Sequence, residues 1–296
     1  MELWFLYALG AAAFAALTTI LAKIGITGVD SHLATAIRTM VVLVFAWIMV
    51  FIVGAQGGIG YVDGRTWVFL ILSGLSTGGS WLCFFRALQI GNVNKVVPID
   101  KSSTILTMIL AFMFLGEPVG IAFLVGMVLI GLGTWLMLEL KKTEDVTKSF
   151  AANKWRHSWL LFAVLAAVFA SLTAIFGRAG VAYMDANLWT AIRTMVVVPL
   201  SWIMVFLVGS QKTIGTVNLK SWVFLVLSGV ATGGSWLFFY HALQIGNASL
   251  VVPVDKLSIV FTMAFARLFL GERFSWRSLG GLALIVIGTF IPILLA

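Results

Sequence analysis

Cysteine is almost absent from this chain of 296 residues, in which Cys83 is the single thiol. An intrachain disulfide and a Cys-based metal site are therefore excluded. We expect Cys83, which lies in an apolar segment, to act as a small buried hydrophobic residue. The sequence also has no metal-ligand spacing, nucleophile triad or phosphate-binding glycine loop. We therefore predict no metal, no cofactor and no enzyme activity.

Charged residues are also scarce, because Asp, Glu, Lys and Arg make up 10% of the chain against 61% for hydrophobic residues. A water-soluble domain could not bury that much apolar surface. The net charge of +8 does not indicate a nucleic-acid partner, because the Lys and Arg residues lie mainly between apolar segments and form no basic stripe with spaced aromatics. The composition indicates a membrane protein whose basic loops set its topology.

The chain repeats itself with a constant offset. The motif Thr-Ala-Ile-Arg begins at Thr35 and again at Thr190, and Trp-Val-Phe-Leu begins at Trp67 and again at Trp222. Both offsets are the same, since 190 − 35 and 222 − 67 equal 155. Two homologous repeats, at 1–140 and 155–296, are therefore joined by a polar linker at 141–154.

Each repeat contains five apolar runs of membrane-spanning length. They lie at 3–22, 33–53, 67–87, 96–115 and 119–138, and at 159–176, 188–208, 222–242, 251–270 and 279–295. Because five is odd, the second repeat enters the membrane from the opposite side. We predict an all-α polytopic membrane protein with ten transmembrane helices in two inverted five-helix repeats, an arrangement typical of secondary transporters.

The basic residues of the short loops predict the orientation. The linker side collects the linker lysines together with Lys95, Arg273 and Arg277, whereas the other side has Arg65. Because Lys and Arg concentrate in cytoplasmic loops, we expect a cytoplasmic linker, both termini outside, and a multi-pass location in the plasma membrane, the inner membrane of a bacterium.

The fourth run of each repeat begins with Val-Val-Pro, a hydrophobic residue, Asp and Lys. The Asp of this motif and two hydroxyl residues after it have helical spacing, which predicts one polar face toward the protein interior. They are Asp100, Ser103 and Thr107 in the first repeat and Asp255, Ser258 and Thr262 in the second. The neighbouring Lys101 and Lys256 are turned about 100° away, so these lysines rank below the aspartates as site residues.

The third run of each repeat places small residues and aromatics on one stripe. The stripe consists of Gly74, Thr77, Gly78, Trp81 and Phe85, matched by Gly229, Thr232, Gly233, Trp236 and Tyr240, and Ser80 and Ser235 lie nearby. Two interpretations stay open: close helix packing, which we favour for the glycines of the stripe, or a pocket with aromatic walls.

Arg38 and Arg193 lie inside the second run of each repeat, at the end where Asp100 and Asp255 also enter. Each Arg–Asp pair is either a structural ion pair or one of two gates that close opposite mouths of a central cavity in alternation. Glu117, in the turn before the fifth run, is expected to favour a helix N-terminus.

The order Ala-Leu-x-x-Gly-Asn, a hydrophobic stretch with Pro, and Phe-Leu-Gly-Glu occurs at 87–117 and 242–272. It resembles the EamA repeat of the drug/metabolite transporter superfamily. The resemblance implies a ten-helix carrier with alternating access around a cavity between the halves. The first helix departs from the small multidrug-resistance branch, because it offers Thr18 and Thr19 in place of a membrane-embedded glutamate. Ten-helix relatives also have cytoplasmic termini, opposite to the charge count.

We therefore predict a secondary transporter of a small polar or zwitterionic metabolite such as an amino acid, in which Arg38 and Arg193 attract a carboxylate. A hydrophobic-cation or drug exporter, a channel, and a scaffold without transport are the alternatives. The expected partners are the small-molecule substrate and the lipid bilayer, with no nucleic acid. One chain suffices for a complete ten-helix unit, while the coupling ion and the direction of transport stay open.

Overall fold

The structure is a computed structural model that describes residues 2–26, 28–90, 99, 102–118, 120–137, 159–270 and 274–295. Within these ranges the regular secondary structure is helical, with eleven α-helices and two short 3-10 helices. The α-helices are α1 Leu3–Gly25, α2 Ser31–Val53, α3 Gly64–Ile90, α4 Ser103–Leu115, α5 Ile121–Met137, α6 Trp159–Val181, α7 Ala186–Val208, α8 Leu219–Ile245, α9 Ala248–Asp255, α10 Ser258–Leu270 and α11 Trp276–Leu295.

The helices fit a membrane-spanning protein by length and composition. Eight helical segments are long and apolar enough to cross a bilayer, if α9 and α10 are counted as one span. Two shorter apolar helices, α4 and α5, accompany them, so the described residues contain ten apolar helical segments. The predicted all-α polytopic fold is therefore confirmed.

The second helix of each repeat starts from an aspartate. Asp30 accepts hydrogen bonds from the amides of His32 (3.0 Å) and Leu33 (3.2 Å), which would otherwise lack a partner at the helix N-terminus. Burial raises the pKa of Asp30, but these bonds and one from Ser210 outweigh it and leave the pKa below the usual value. Asp185 caps α7 in the same way. These caps fix where each helix begins and thus where its arginine lies.

Both second helices end at a glycine in the left-handed region, with φ of 77° at Gly54 and 81° at Gly209. A 3-10 helix follows each of them, at Ala55–Tyr61 and Ser210–Thr216. The apolar pattern does not predict these two short helices, because the first is rich in glycine and the second consists mainly of polar residues.

The fourth span of the second repeat is broken, whereas the sequence predicts one helix at 251–270. The chain leaves the helix after Asp255 and re-enters it at Ser258. Pro253 lacks an N–H group and so removes one hydrogen bond near the end of α9. In the first repeat α4 begins at Ser103, and the predicted start of that span, apart from Ile99, lies outside the described residues.

The two repeats are interleaved. The most extensive helix packing joins α1 to α8, α3 to α6, α5 to α11 and α2 to α7, and each of these pairs takes one helix from each repeat. Glycines allow the close approach of α5 and α11, because a Cβ added to Gly133 would lie 2.5 Å from the carbonyl oxygen of Gly281. The repeats are therefore units of sequence that share one packed body.

Glycines of the third helices serve packing as predicted. A Cβ added to Gly74 of α3 would lie 2.7 Å from Val196 of α7, and one added to Gly229 of α8 would lie 2.6 Å from Val41 of α2. Each third helix is thus held against the second helix of the other repeat. This contact brings the arginines of α2 and α7 beside the hydroxyl residues of α8 and α3.

Candidate functional site

Two cavities lie between the repeats and share a wall formed by Trp81 and Trp236. The Arg38 compartment has a volume of 370 Å3 and is lined by Ala15, Thr18, Thr35, Arg38, Thr39, Val42, Trp81, Thr232, Ser235 and Trp236. The Arg193 compartment has a volume of 230 Å3 and is lined by Thr77, Ser80, Trp81, Ala170, Thr173, Arg193, Trp236, Phe239 and Tyr240.

Equivalent positions of the two repeats line the two compartments. Thr18 and Thr173 are 155 residues apart, and the same offset relates Arg38 to Arg193 and Trp81 to Trp236. The cavities are therefore two related parts of one site, entered by one arginine from each repeat.

Arg193 is held by hydroxyls and aromatic rings, and its side chain is 2% exposed. Its Nε donates to Ser73 Oγ at 3.1 Å and its Nη2 donates to Thr77 Oγ1 at 2.5 Å. The guanidinium carbon lies 4.9 Å from the ring centre of Trp236 and 5.2 Å from that of Tyr240. Such cation–π contacts gain strength when water is excluded. These contacts fix the guanidinium of Arg193 in place, and its buried Nη1 has no hydrogen-bond partner among the described residues.

Arg38, at the equivalent position, has far fewer partners. Its Nη2 donates to Thr232 Oγ1 at 2.9 Å. Its Nε is buried and has no hydrogen-bond partner among the described residues. An arginine has five N–H donors, so Arg38 keeps donor capacity that faces the larger compartment. This guanidinium is available to a bound molecule in a way that Arg193 is not.

The site is electropositive. Among the described residues, no acidic side chain lines either compartment. Removing a cation from water without a counter-charge is costly, so the cavity favours an anionic group beside Arg38. Asp255 forms an ion pair with Lys256 at 3.7 Å and is not among the described lining residues, and Asp100 lies outside the described residues.

Of the two predicted Arg–Asp gates, both residues are described only in the second repeat, at Arg193 and Asp255. Arg193 donates to Ser73 and Thr77, and not to Asp255, in the conformation seen here. The gate hypothesis requires the two Arg–Asp pairs to form in alternation. One conformation does not test this, so the alternation of the pairs stays a prediction. Lys101 also lies outside the described residues.

The other predicted residues divide between walls and packing. Ser80 and Ser235 line the compartments, yet their hydroxyls donate to the carbonyl oxygens of Ala166 and Ala11, both at 3.0 Å, and so join α3 to α6 and α8 to α1. Trp81, Trp236 and Tyr240 line the site, whereas the Phe85 side chain lies outside the described part. The fourth-span residues Ser103, Thr107, Ser258 and Thr262 are not among the described lining residues.

The hydroxyl residues that bind the arginines are not among the predicted site residues, although Thr77 and Thr232 lie on the stripe predicted for the third run. Thr77 and Thr232 accept from Arg193 and Arg38, and Ser73 accepts the second bond from Arg193. The available signal was repetition, because each has a hydroxyl counterpart 155 residues away within an apolar run.

Glu117 caps a helix, but in the other repeat. Its carboxylate is 6% exposed and accepts from the amides of Ala248 (2.7 Å) and Ser249 (2.8 Å), the first residues of α9. The expected role at a helix N-terminus is thus present, while the helix is α9 and not the adjacent α5. The contact fastens the first repeat to the broken span of the second.

Ten apolar helical segments in two inverted repeats, around a cavity lined by two arginines, form the architecture of a multi-pass membrane transporter. The chain belongs to the EamA-like transporter family, which matches residues 2–139 and 157–294. It is therefore a membrane transporter of the drug/metabolite superfamily.

Similar proteins agree with this class. A Sinorhizobium sp protein described as an uncharacterized transporter in the cobO 3' region is 42% identical over 134 residues, which are 45% of this chain and 95% of that protein. An uncharacterized protein of Methanocaldococcus jannaschii is 31% identical over 99 residues, 30% of this chain and 72% of that protein. A crystal structure with 18% identity covers 99% of this chain and 96% of its own, with a TM-score of 0.82, and shows a shared fold. The Sinorhizobium relative is about one repeat long.

Proposed function

We propose that the chain is a secondary transporter that carries a small polar or zwitterionic metabolite with a carboxylate across the plasma membrane by alternating access. The observation that carries the proposal is Arg38. Its guanidinium faces a 370 Å3 cavity with one hydroxyl partner and with no acidic residue among the described lining. An arginine binds a planar carboxylate through two parallel N–H···O bonds.

The remaining walls suit the rest of such a substrate. Trp81 and Trp236 offer indole faces, which attract apolar groups and also ammonium groups. An amino acid would thus place its carboxylate at Arg38 and its side chain or ammonium group against the indoles. A hydrophobic cation without a carboxylate is disfavoured, because it would meet an uncompensated arginine.

Thermal unfolding with a substrate panel tests the proposal. Purified protein is heated with carboxylates, with their matched amides and with amines. A carboxylate at about 100 times its Kd should stabilise the protein by about 2.7 kcal/mol, and the matched amide should not. Arg38→Gln should remove that stabilisation. Arg65→Gln is the matched control, because Arg65 is exposed on α3.

Counterflow in liposomes then separates the remaining functions. A carrier exchanges labelled carboxylate for the same unlabelled compound across the membrane. Flux without this trans-stimulation would indicate a channel, and binding without flux a scaffold. Stabilisation by amines together with none by carboxylates would contradict the proposed substrate class and favour an exporter of hydrophobic cations.

A further inference from the structure

The two arginines differ by one specific hydrogen bond to a serine. Ser73 and Ser228 are counterparts, and each donates to a backbone carbonyl of the first helix of the other repeat, at 3.1 Å and 3.0 Å. Ser73 Oγ also accepts from Arg193 Nε. The equivalent Arg38 Nε has no partner among the described residues, so Ser228 lacks the bond that Ser73 makes.

Three of the groups that hold Arg193 have identical counterparts in the other repeat, whereas Phe85 occupies the position equivalent to Tyr240. Thr77 Oγ1 accepts from Arg193, and its counterpart Thr232 accepts from Arg38 already. The indole under Arg193 belongs to Trp236, whose counterpart in sequence is Trp81. Arg193 is thus held by protein groups and Arg38 is not, although Ser73, Thr77 and Trp236 each have an identical counterpart.

We propose that Arg38 and Arg193 bind the substrate's anionic group in turn. In the state seen here Arg38 receives the anion while Ser73, Thr77 and Trp236 lock Arg193. In the opposite state Ser228, Thr232 and Trp81 lock Arg38, and Arg193 is released into its own compartment. This inference rests on the proposed function and names the residues that exchange.

The geometry gives a physical reason for the exchange. Each state holds one guanidinium through its Nε and Nη2 with protein hydroxyls and leaves the other to the substrate, so the two states have similar energies and a ligand can shift their populations. Because the repeats are inverted, the equivalent arginines lie toward opposite membrane faces. Trp81 and Trp236 line both compartments, so in this proposal the anion moves from the first guanidinium to the second past these two indoles.

Phenylglyoxal, a neutral reagent that modifies accessible guanidinium groups, tests the exchange without any substrate. Mass spectrometry of peptides from the purified protein gives the modification rates of Arg38 and Arg193. In the unchanged protein Arg38 should react and Arg193 should be protected. In Ser73→Ala the rate at Arg193 should rise roughly tenfold, the equivalent of about 1.4 kcal/mol, while the rate at Arg38 falls.

Ser228→Ala is the matched control, because it loses the same kind of bond between helices but leaves the lock on Arg193 intact. Arg193 should stay protected there and Arg38 should react at least as fast as before. Parallel changes in the two serine variants, or equal reactivity of both arginines in the unchanged protein, would overturn the proposal.

Thr77→Val guards against a variant that fails to fold, because valine keeps the shape of threonine and leaves the helix contact of Ser73 intact. It should also unmask Arg193, and protection of Arg193 in Thr77→Val contradicts the exchange. Opposite shifts in the serine variants without carboxylate binding would overturn the proposed function alone. Carboxylate binding with parallel shifts would overturn the exchange alone.

Discussion

Replacing Glu117 should destabilise the protein more than any ordinary helix-cap substitution. The carboxylate accepts from the amides of Ala248 and Ser249, which are 0% and 3% exposed as residues. A hydrogen bond to a charged group contributes about 1.5–3 kcal/mol, so losing both in Glu117→Ala should cost roughly 3–6 kcal/mol. Glu117→Gln keeps one acceptor oxygen and should cost about half as much.

Thermal unfolding in detergent, followed by tryptophan fluorescence, measures this effect. At about 2–4 °C per kcal/mol for chains of roughly 150–250 residues, Glu117→Ala should lower Tm by at least about 6 °C. Asn247→Ala is the control, because Asn247 occupies the N-cap position of α9 but makes no side-chain cap bond. Ordinary capping rules assign that change about 1 kcal/mol, whereas we expect a negligible loss. A larger loss for Asn247→Ala than for Glu117→Ala would refute the assignment of the cap to Glu117.

Three further predictions concern packing, topology and pH. Gly133→Ala should lower the unfolding free energy by about 1–3 kcal/mol because the new Cβ collides with Gly281, whereas Gly280→Ala, with nothing within 4 Å, should be harmless in the same thermal assay. A cysteine at Ser149 in a Cys83→Ala background should resist an impermeant thiol reagent in intact cells, and labelling there would reverse the orientation. Asp30→Ala should cost about 1 kcal/mol at pH 7; because the folded-state pKa of Asp30 lies below 3.8, the difference between variant and parent should shrink as pH falls below that value.

The membrane spans could be predicted because their apolar runs are local and have the length that a bilayer requires. The broken fourth span was harder, since α9 and α10 together read as one apolar run and Pro253 alone does not specify a break. The start of that span was also missed, because α9 begins at Ala248 and its first amides donate to Glu117, a residue distant in sequence. The sequence offers no local sign of that contact.

The site could be predicted in part for the same reason. Arg38, Arg193 and Trp236 stand out because charge and aromatic groups in repeated apolar runs are conspicuous. The hydroxyl partners of the arginines do not stand out in the sequence. Ser73, for example, is an ordinary residue of a transmembrane helix and binds Arg193 only because α3 packs beside α7. Helical periodicity also predicts that the fourth-span hydroxyls face the protein interior. It does not predict which neighbouring helix or cavity they contact.

The interleaving of the repeats constrains how the chain is made. During synthesis the N-terminal repeat emerges first, yet the surfaces of α1 and α3 that become buried belong against α8 and α6, which do not yet exist. Until α6 and α8 have been inserted, α1 and α3 lie in the bilayer as separate spans, with lipid covering their small-residue faces. Assembly is therefore completed only after the last helix has inserted, when α11 closes against α5, and a ribosome stalled after the linker would leave an insertion intermediate and not half a transporter.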